Sequence, residues 1–331
     1  MVIGGYRIVR CLSAGGFGAV YLAVDEAGQQ VAIKEYLPAS LVTRGAGERI
    51  PRVAPENLLL YRQGLRNFFE EGRLLAQISH ASVVRLLDFF RESETLYMVM
   101  SYLEGSTLWN SIVAARGLKQ DKVLDEPAIR SLFDRALNSL CVVHQHRMLH
   151  LDIKPANIFL TADDRVVLID FGAARKMPDK ESDFIRPICT PGFAAPELYR
   201  HDLPIGPWTD IYAVGACIYA CMQGRSPSDA LLRIKKDRFA SSLSRLRGIY
   251  SDNLIEVVQW CMSLDPLSRP QSVFKLLKEL GREEEWEWRY TRSGIGEKLR
   301  LLFGNMRSFK TFKKERPPEI CAATTRATRA A

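Results

Sequence analysis

Along roughly the first hundred residues, apolar and polar positions alternate at short range. Residues 6–12 and 19–24 are rich in β-branched and aromatic side chains and flank the turn Gly15-Gly16-Phe17-Gly18. Val31-Ala32-Ile33-Lys34 follows a second turn at Ala27-Gly28. This spacing predicts three antiparallel strands in succession. Two further strands are predicted around 84–90 and 96–101. Between the two groups Phe68, Leu74, Leu75 and Ile78 recur at helical steps, so one helix over 68–78 interrupts the strands. Residues 38–55 are punctuated by Gly and Pro and read as a surface insertion, part of a longer intervening stretch over 39–63.

From about Thr107 the period becomes helical. Residues 129–144 form an amphipathic pattern, and 210–222 are apolar on all sides, as expected of a buried helix. The apolar run at 211–222 is too short for a bilayer, which needs about 20 residues. No internal repeat is visible. The expected class is α+β with two lobes, a small β-rich one with a single helix at 5–103 and a larger helical one at 104–281. A crevice between them is the default ligand site.

Composition narrows the picture. Hydrophobic residues make up 47% of the 331-residue chain and charged residues 25%, enough for a sizeable core. The net charge of +8 lies entirely in residues 289–331, which marks 282–331 as a basic tail and argues against nucleic-acid binding by the main body. Seven cysteines show no C-x-x-C pair, which excludes a regular zinc or disulfide framework and points to a reducing, cytoplasmic setting. The N-terminus has neither the basic segment nor the apolar run of a secretory signal.

The chemistry gathers in a few stretches. Leu12-Ser13-Ala14-Gly15-Gly16-Phe17-Gly18-Ala19-Val20 places small residues between two strands, where backbone N–H groups can approach phosphate oxygens. Lys34 can reach the same phosphates, and Glu71 on the predicted helix can fix its position, with Glu70 beside it on the surface. His150-Leu151-Asp152-Ile153-Lys154-Pro155-Ala156-Asn157 precedes an apolar strand, since Pro155 forbids a continuous helix, and Val167-Leu168-Ile169-Asp170-Phe171-Gly172 follows. Asn157 and Asp170 offer oxygens suited to Mg²⁺. Asp152 is then available to accept a hydroxyl proton, and Lys154 to neutralise charge on a transferring phosphate.

This ordered set resembles the signatures of eukaryotic-like Ser/Thr protein kinases over roughly residues 6–280. Ala195-Pro196-Glu197, the preceding Thr190-Pro191-Gly192, Asp210 at the apolar helix and Arg269 in Asp-Pro-Leu-Ser-Arg-Pro extend the likeness. The resemblance implies the two-lobed protein-kinase fold and transfer of the ATP γ-phosphoryl group to Ser or Thr of protein substrates, with Mg²⁺. It implies a nucleotide covered by Leu12, Gly15, Gly18, Val20, Ala32 and Phe159. Met100 would be the gatekeeper, residues 101–103 (Ser101 to Leu103) the adenine-binding hinge, and Lys34 with Glu71 the phosphate-holding pair. Asp152, Lys154, Asn157 and Thr190 would be catalytic, Asn157 and Asp170 would hold the metal, and Leu75, Leu86, His150 and Phe171 would form a hydrophobic column. Ile33-Lys34-Glu35-Tyr36-Leu37-Pro38 looks closer to bacterial members. A pseudokinase scaffold that binds ATP and partners without transfer is the alternative.

Two positions depart from the pattern. Ser13 stands where the first loop glycine usually is. Leu151 gives His-Leu-Asp in place of His-Arg-Asp, so activation is not expected to use the usual phosphate-to-Arg latch. Ser182 as a phosphosite would need another partner, such as Arg175 or Lys176. In the tail, Ile295, Leu299, Leu302, Phe303, Met306 and Phe309 trace a basic amphipathic helix broken by Gly304. Its readings are contact with an acidic membrane surface, with a partner, or with the kinase domain itself.

Overall fold

A computed structural model describes residues 1–16, 18–45, 47–117, 123–177, 189–200 and 202–281. Phe17, Ser182, Cys321 and the patterned tail lie outside the described residues. The described chain divides into two compact units, the first containing residues 1–79 and 84–103 and the second 80–83 and the chain from Glu104 on.

Among the described residues the first unit holds eight strands, β1 (Val2–Ile3), β2 (Tyr6–Gly15), β3 (Gly18–Val24), β4 (Gln30–Tyr36), β5 (Val42–Thr43), β6 (Arg52–Val53), β7 (Leu86–Glu92) and β8 (Thr95–Ser101). Strands β5 and β6 pair with each other, and the others form an antiparallel sheet in the order β1-β2-β3-β4-β8-β7. The pleat explains its two faces. Ala19, Tyr21, Ala23, Val31, Ile33, Tyr97 and Val99 alternate onto one face and close a core with Ile3 and Ile8. Val20, Ala32, Lys34 and Met100 alternate onto the other, with Val20 opposite Lys34 and Ala32 opposite Met100.

Helix α1 (Leu58–Leu75) corrects the expected 68–78 at both ends. A 3₁₀ turn at Pro55–Asn57 leads into it, as the fixed φ of proline favours. Tyr61 and Phe68, seven residues apart, are its first buried anchors, while Leu58, Leu59 and Leu60 are exposed and hide the period. Ile78 is buried but lies beyond the helix end. Nor is the 39–63 stretch a purely surface decoration, because Val42 and Arg44 are buried and its last residues are helical.

The second unit carries β9 (Gly105–Thr107), α2 (Leu108–Arg116), α3 (Glu126–Gln145), β10 (Met148–Leu149), β11 (Ile158–Thr161), β12 (Val166–Leu168) and β13 (Arg175–Lys176). After these come α4 (Pro196–Tyr199), α5 (Pro207–Gln223), α6 (Ala230–Lys235), α7 (Phe239–Ser244), α8 (Asp252–Cys261) and α9 (Val273–Leu280). Helix α3 begins earlier than its apolar period because Asp125 caps it, accepting from the Ala128 N–H. Helix α5 is buried from Thr209 to Met222 and stops at Gly224, whose φ of 71° suits a left-handed C-terminal cap. Asp210 thus sits one turn inside α5 and does not open it. The thiols of Cys217, Cys221 and Cys261 are buried. Among the described residues, no helix is long and apolar enough to cross a membrane.

Candidate active site

In the second unit, residues 150–157 run between β10 and β11 as the proline predicts, ending in a 3₁₀ turn at Pro155–Asn157. The turn folds Asn157 back on Asp152. Its Nδ2 donates to the Asp152 backbone oxygen at 2.9 Å and to Oδ2 at 3.0 Å. Lys154 Nζ donates to the same Oδ2 at 2.7 Å, and Thr190 Oγ1 donates to Oδ1 at 2.6 Å. Lys154 Nζ also lies 3.2 Å from Thr190 Oγ1. Three side chains therefore orient one carboxylate. Because a carboxylate offers about four lone-pair sites, there is room to accept one further proton donor.

A second carboxylate holds this loop from beneath. Asp210, fully buried on α5, accepts the Leu151 N–H at 2.7 Å, the His150 N–H at 2.9 Å and a contact from His144 Nε2 at 2.8 Å. Burial alone would raise its pKa, but hydrogen bonding from His144, with the nearby histidines, outweighs burial and holds the carboxyl below its ordinary value. These bonds keep Leu151 at a φ of 63°, a region side chains rarely enter. Asp170 has a φ of 60°, and such outliers gather where structure over-determines them, often at sites of function. Leu151 itself packs with Leu149, Ala194 and Leu198, with Cys189 at the edge of the cluster.

His150 is fully buried, and burial lowers its pKa despite nearby aspartates, which favours the neutral imidazole. Its ring lies 4.7 Å from that of Phe171, which buries the residue after Asp170. Asp170 is exposed at the end of β12. One carboxylate and one amide oxygen form a hard donor set that fits Mg²⁺, a cation that usually completes its shell with water and substrate phosphate. Among the described residues no group of three or more His, Cys, Asp or Glu could hold a metal, so such a shell would be needed. Phe159 lies half-buried in β11 opposite Thr107 and Val167. Further along, Arg269 and Glu197 form a fully buried two-pronged ion pair at 2.7 and 2.9 Å, with the guanidinium over the Tyr212 ring.

The first unit supplies the other predicted residues. Lys34 Nζ meets Glu71 Oε1 at 2.7 Å, with Glu71 5% exposed and Lys34 16%. Glu70 is exposed and pairs with Arg73. Val20, Ala32 and Met100 share the Lys34 face, Gly15 pairs with Gly18, and Leu12 lies beside a bulge in β2. Ser101 closes β8, and Leu103 follows it, half-buried. Leu75 is buried on α1 and Leu86 half-buried on β7.

Sequence reasoning missed a polar cluster on the opposite sheet face. Glu35, 1% exposed, receives both arms of Arg44 at 2.6 and 3.0 Å and the hydroxyls of Tyr21 and Tyr97, each at 2.8 Å. Burial first, then Glu35, pushes both tyrosine pKa values well up, so both remain hydroxyl donors. A signal was present, since Val31 and Ile33 are inward positions and period two carries Glu35 inward with them.

Comparison with known proteins gives the following matches. The family model described as protein kinase domain matches residues 6–279. A Fusarium virguliforme protein named sucrose non-fermenting protein kinase 1 is 30% identical over 229 residues, 69% of this chain and 29% of that protein. A Caenorhabditis elegans protein, serine/threonine-protein kinase D1044.8, is 26% identical over 81% of this chain and 26% of its own length. Serine/threonine-protein kinase Nek6 of Oryza sativa subsp. japonica is 28% identical over 80% and 46%. The chain thus spans less than half the length of these curated relatives. A solved structure titled PpkA-294 apo form superposes with a TM-score of 0.74 at 33% identity, covering 85% of this chain and 97% of that one.

Proposed function

The chain belongs to the protein kinase domain family and has its fold, and from that membership we propose that it transfers the γ-phosphoryl group of ATP to Ser or Thr hydroxyls of protein substrates. The observation that carries this reading is Asp152, held by Thr190, Lys154 and Asn157 with room for one more donor. The substrate hydroxyl fills that place. Its oxygen bonds to the γ-phosphorus as the bond to the ADP oxygen breaks, and its proton passes to Asp152. Lys154 offsets charge on the transferring group, and Lys34, fixed by Glu71, holds the α- and β-phosphates. The turn from Gly15 to Gly18 covers the phosphates, and Leu12, Val20, Ala32, Met100, residues 101–103 and Phe159 take the adenosine. Asn157 and Asp170 would hold Mg²⁺, which supplies neutralisation of phosphate charge.

The Leu151 contacts with Ala194 and Leu198 offer apolar packing where the family has an Arg-to-phosphate latch. They support a kinase whose activation segment does not depend on that latch. The three buried thiols fit action in a reducing compartment, and we place it in the cytoplasm.

The test is transfer from labelled ATP, with Mg²⁺, to the chain itself and to a generic protein substrate. Asp152→Asn is expected to lower the rate about 10²–10⁴-fold, the span of a general-base contribution. Asp170→Ala and Lys34→Met are expected to abolish metal-dependent transfer. Near-normal rates in these variants would overturn the roles, and Mg-ATP binding without transfer by the wild type would favour the scaffold reading.

A further inference from the structure

The 38–44 segment makes two internal attachments that the proposed reaction does not use, one at each end. At its start the Ala39 N–H donates to the Gly16 carbonyl at 3.2 Å, across the opening of the glycine-rich turn. At its end Arg44 is buried on Glu35, next to Lys34 along β4. The chain between them is a tight turn, with Leu41 and Val42 N–H groups both donating to the Pro38 carbonyl at 2.9 and 3.1 Å. On its other limb the glycine-rich turn is pressed against the same strand. A Cβ at Gly18 would lie 2.1 Å from the Glu35 carbonyl oxygen, so only glycine fits. At Gly15 and Gly16 a Cβ would meet nothing within 4 Å among the described residues.

Glycines in open space are loose unless something else holds them. The hydrogen bond from the Ala39 N–H to the Gly16 oxygen is such a hold. We propose that residues 38–44 act as a positioning strap for the glycine-rich turn, with the Ala39 N–H holding the Gly16 carbonyl and so limiting the conformations the turn can take before a phosphate arrives. Arg44 and Glu35 fix the strap to the strand that carries Lys34. The strap thereby removes, before binding, part of the disorder that a phosphate would otherwise have to freeze out. This inference rests on the reading that the turn covers nucleotide phosphates.

The test isolates a single hydrogen. Ala39 occupies the second position of the turn, where proline is favoured, so Ala39→Pro removes the N–H while suiting the backbone. With the full chain, affinities for Mg-ATP and for adenosine, which lacks phosphates, are measured by calorimetry alongside the melting temperature. Ala39→Pro is expected to weaken ATP about two- to tenfold, the size of one hydrogen bond. Adenosine affinity and melting are expected to hold, and Ala39→Gly, which restores the N–H, recovers ATP affinity. Equal ATP affinity in wild type and Ala39→Pro, or equal weakening of ATP and adenosine, overturns the strap. Wild-type chain that binds no ATP overturns the kinase reading beneath it. Amide exchange of the wild type needs no variant. A protected Ala39 N–H without nucleotide supports the strap, and a freely exchanging one defeats it.

Discussion

Glu35 and Arg44 stand nine residues apart, and in sequence each looks like an ordinary surface charge. Folded, they are 1% and 5% exposed, and the guanidinium answers the carboxylate with two bonds while two tyrosine hydroxyls take up the rest. Such a pair is costly to break from one side. Arg44→Met leaves a buried carboxylate without its cation and is expected to destabilise the chain by about 3–5 kcal/mol in urea titration. Replacing Glu35 by Leu as well removes the stranded charge, and the double variant is expected to regain much of the loss. A single-variant loss below about 1 kcal/mol would show that water reaches the site. The motif residues were legible because each has a fixed chemical identity at a fixed spacing, as with Lys34, Asp152, Asn157 and Asp170. The Thr190 hydroxyl on Asp152 was legible only as a family resemblance, because 38 residues separate them and no local pattern reports a tertiary contact.

At the scale of elements, α1 shows what periodicity misses. Its C-terminal half buries Phe68, Glu71, Leu74 and Leu75, and that half carries the visible period. Its first turns expose three leucines and contain Gly64, a poor helix former, so nothing in the sequence announced a helix there. The glycine has a packing reason. A Cβ at position 64 would come 1.7 Å from the Tyr36 hydroxyl, and Tyr36 is buried with its ring 5.4 Å from that of Tyr61 and 5.7 Å from that of Phe68. Helix propensity favours Gly64→Ala by up to about 1 kcal/mol, whereas forcing the ring aside costs about 1–3 kcal/mol. Packing should win, so a lowered melting temperature is expected. A raised one would mean that the ring moves at little cost. The strands were easier to read, since β3, β4 and β8 are short runs rich in β-branched and aromatic residues, and β4 alternates buried with less buried positions from Gln30 to Glu35.

For the molecule as a whole, the buried titratable groups set a response to acid. Unfolded, His150 takes up a proton as pH falls through its ordinary value of 6.5, whereas folded it resists because burial lowers its pKa. The unfolded state then binds more protons, so stability falls as pH drops below about 6.5, by up to about 1.4 kcal/mol per pH unit. Asp210, held below its ordinary 3.8, adds a further loss as pH falls below that value. Chemical denaturation between pH 7.5 and 5 is expected to show a falling midpoint, and a flat profile would mean that His150 is hydrated in the native state. The sequence could not reveal this, because a histidine in a loop motif carries no mark of its burial. What it did carry at this scale was the change from period two to helical spacing near Thr107, the trace of a sheet giving way to helices.

The inner anchor of the 38–44 segment has a practical use for anyone handling the protein. Beyond Arg44 the chain turns outward through Gly45, Gly47, Arg49 and Ile50, all exposed, before β6 returns it. A fluorophore or epitope spliced in after Gly47 would ride on this outer bend as a handle, since exposed loop tips tolerate insertion, while the sheet beneath goes on carrying none of its weight.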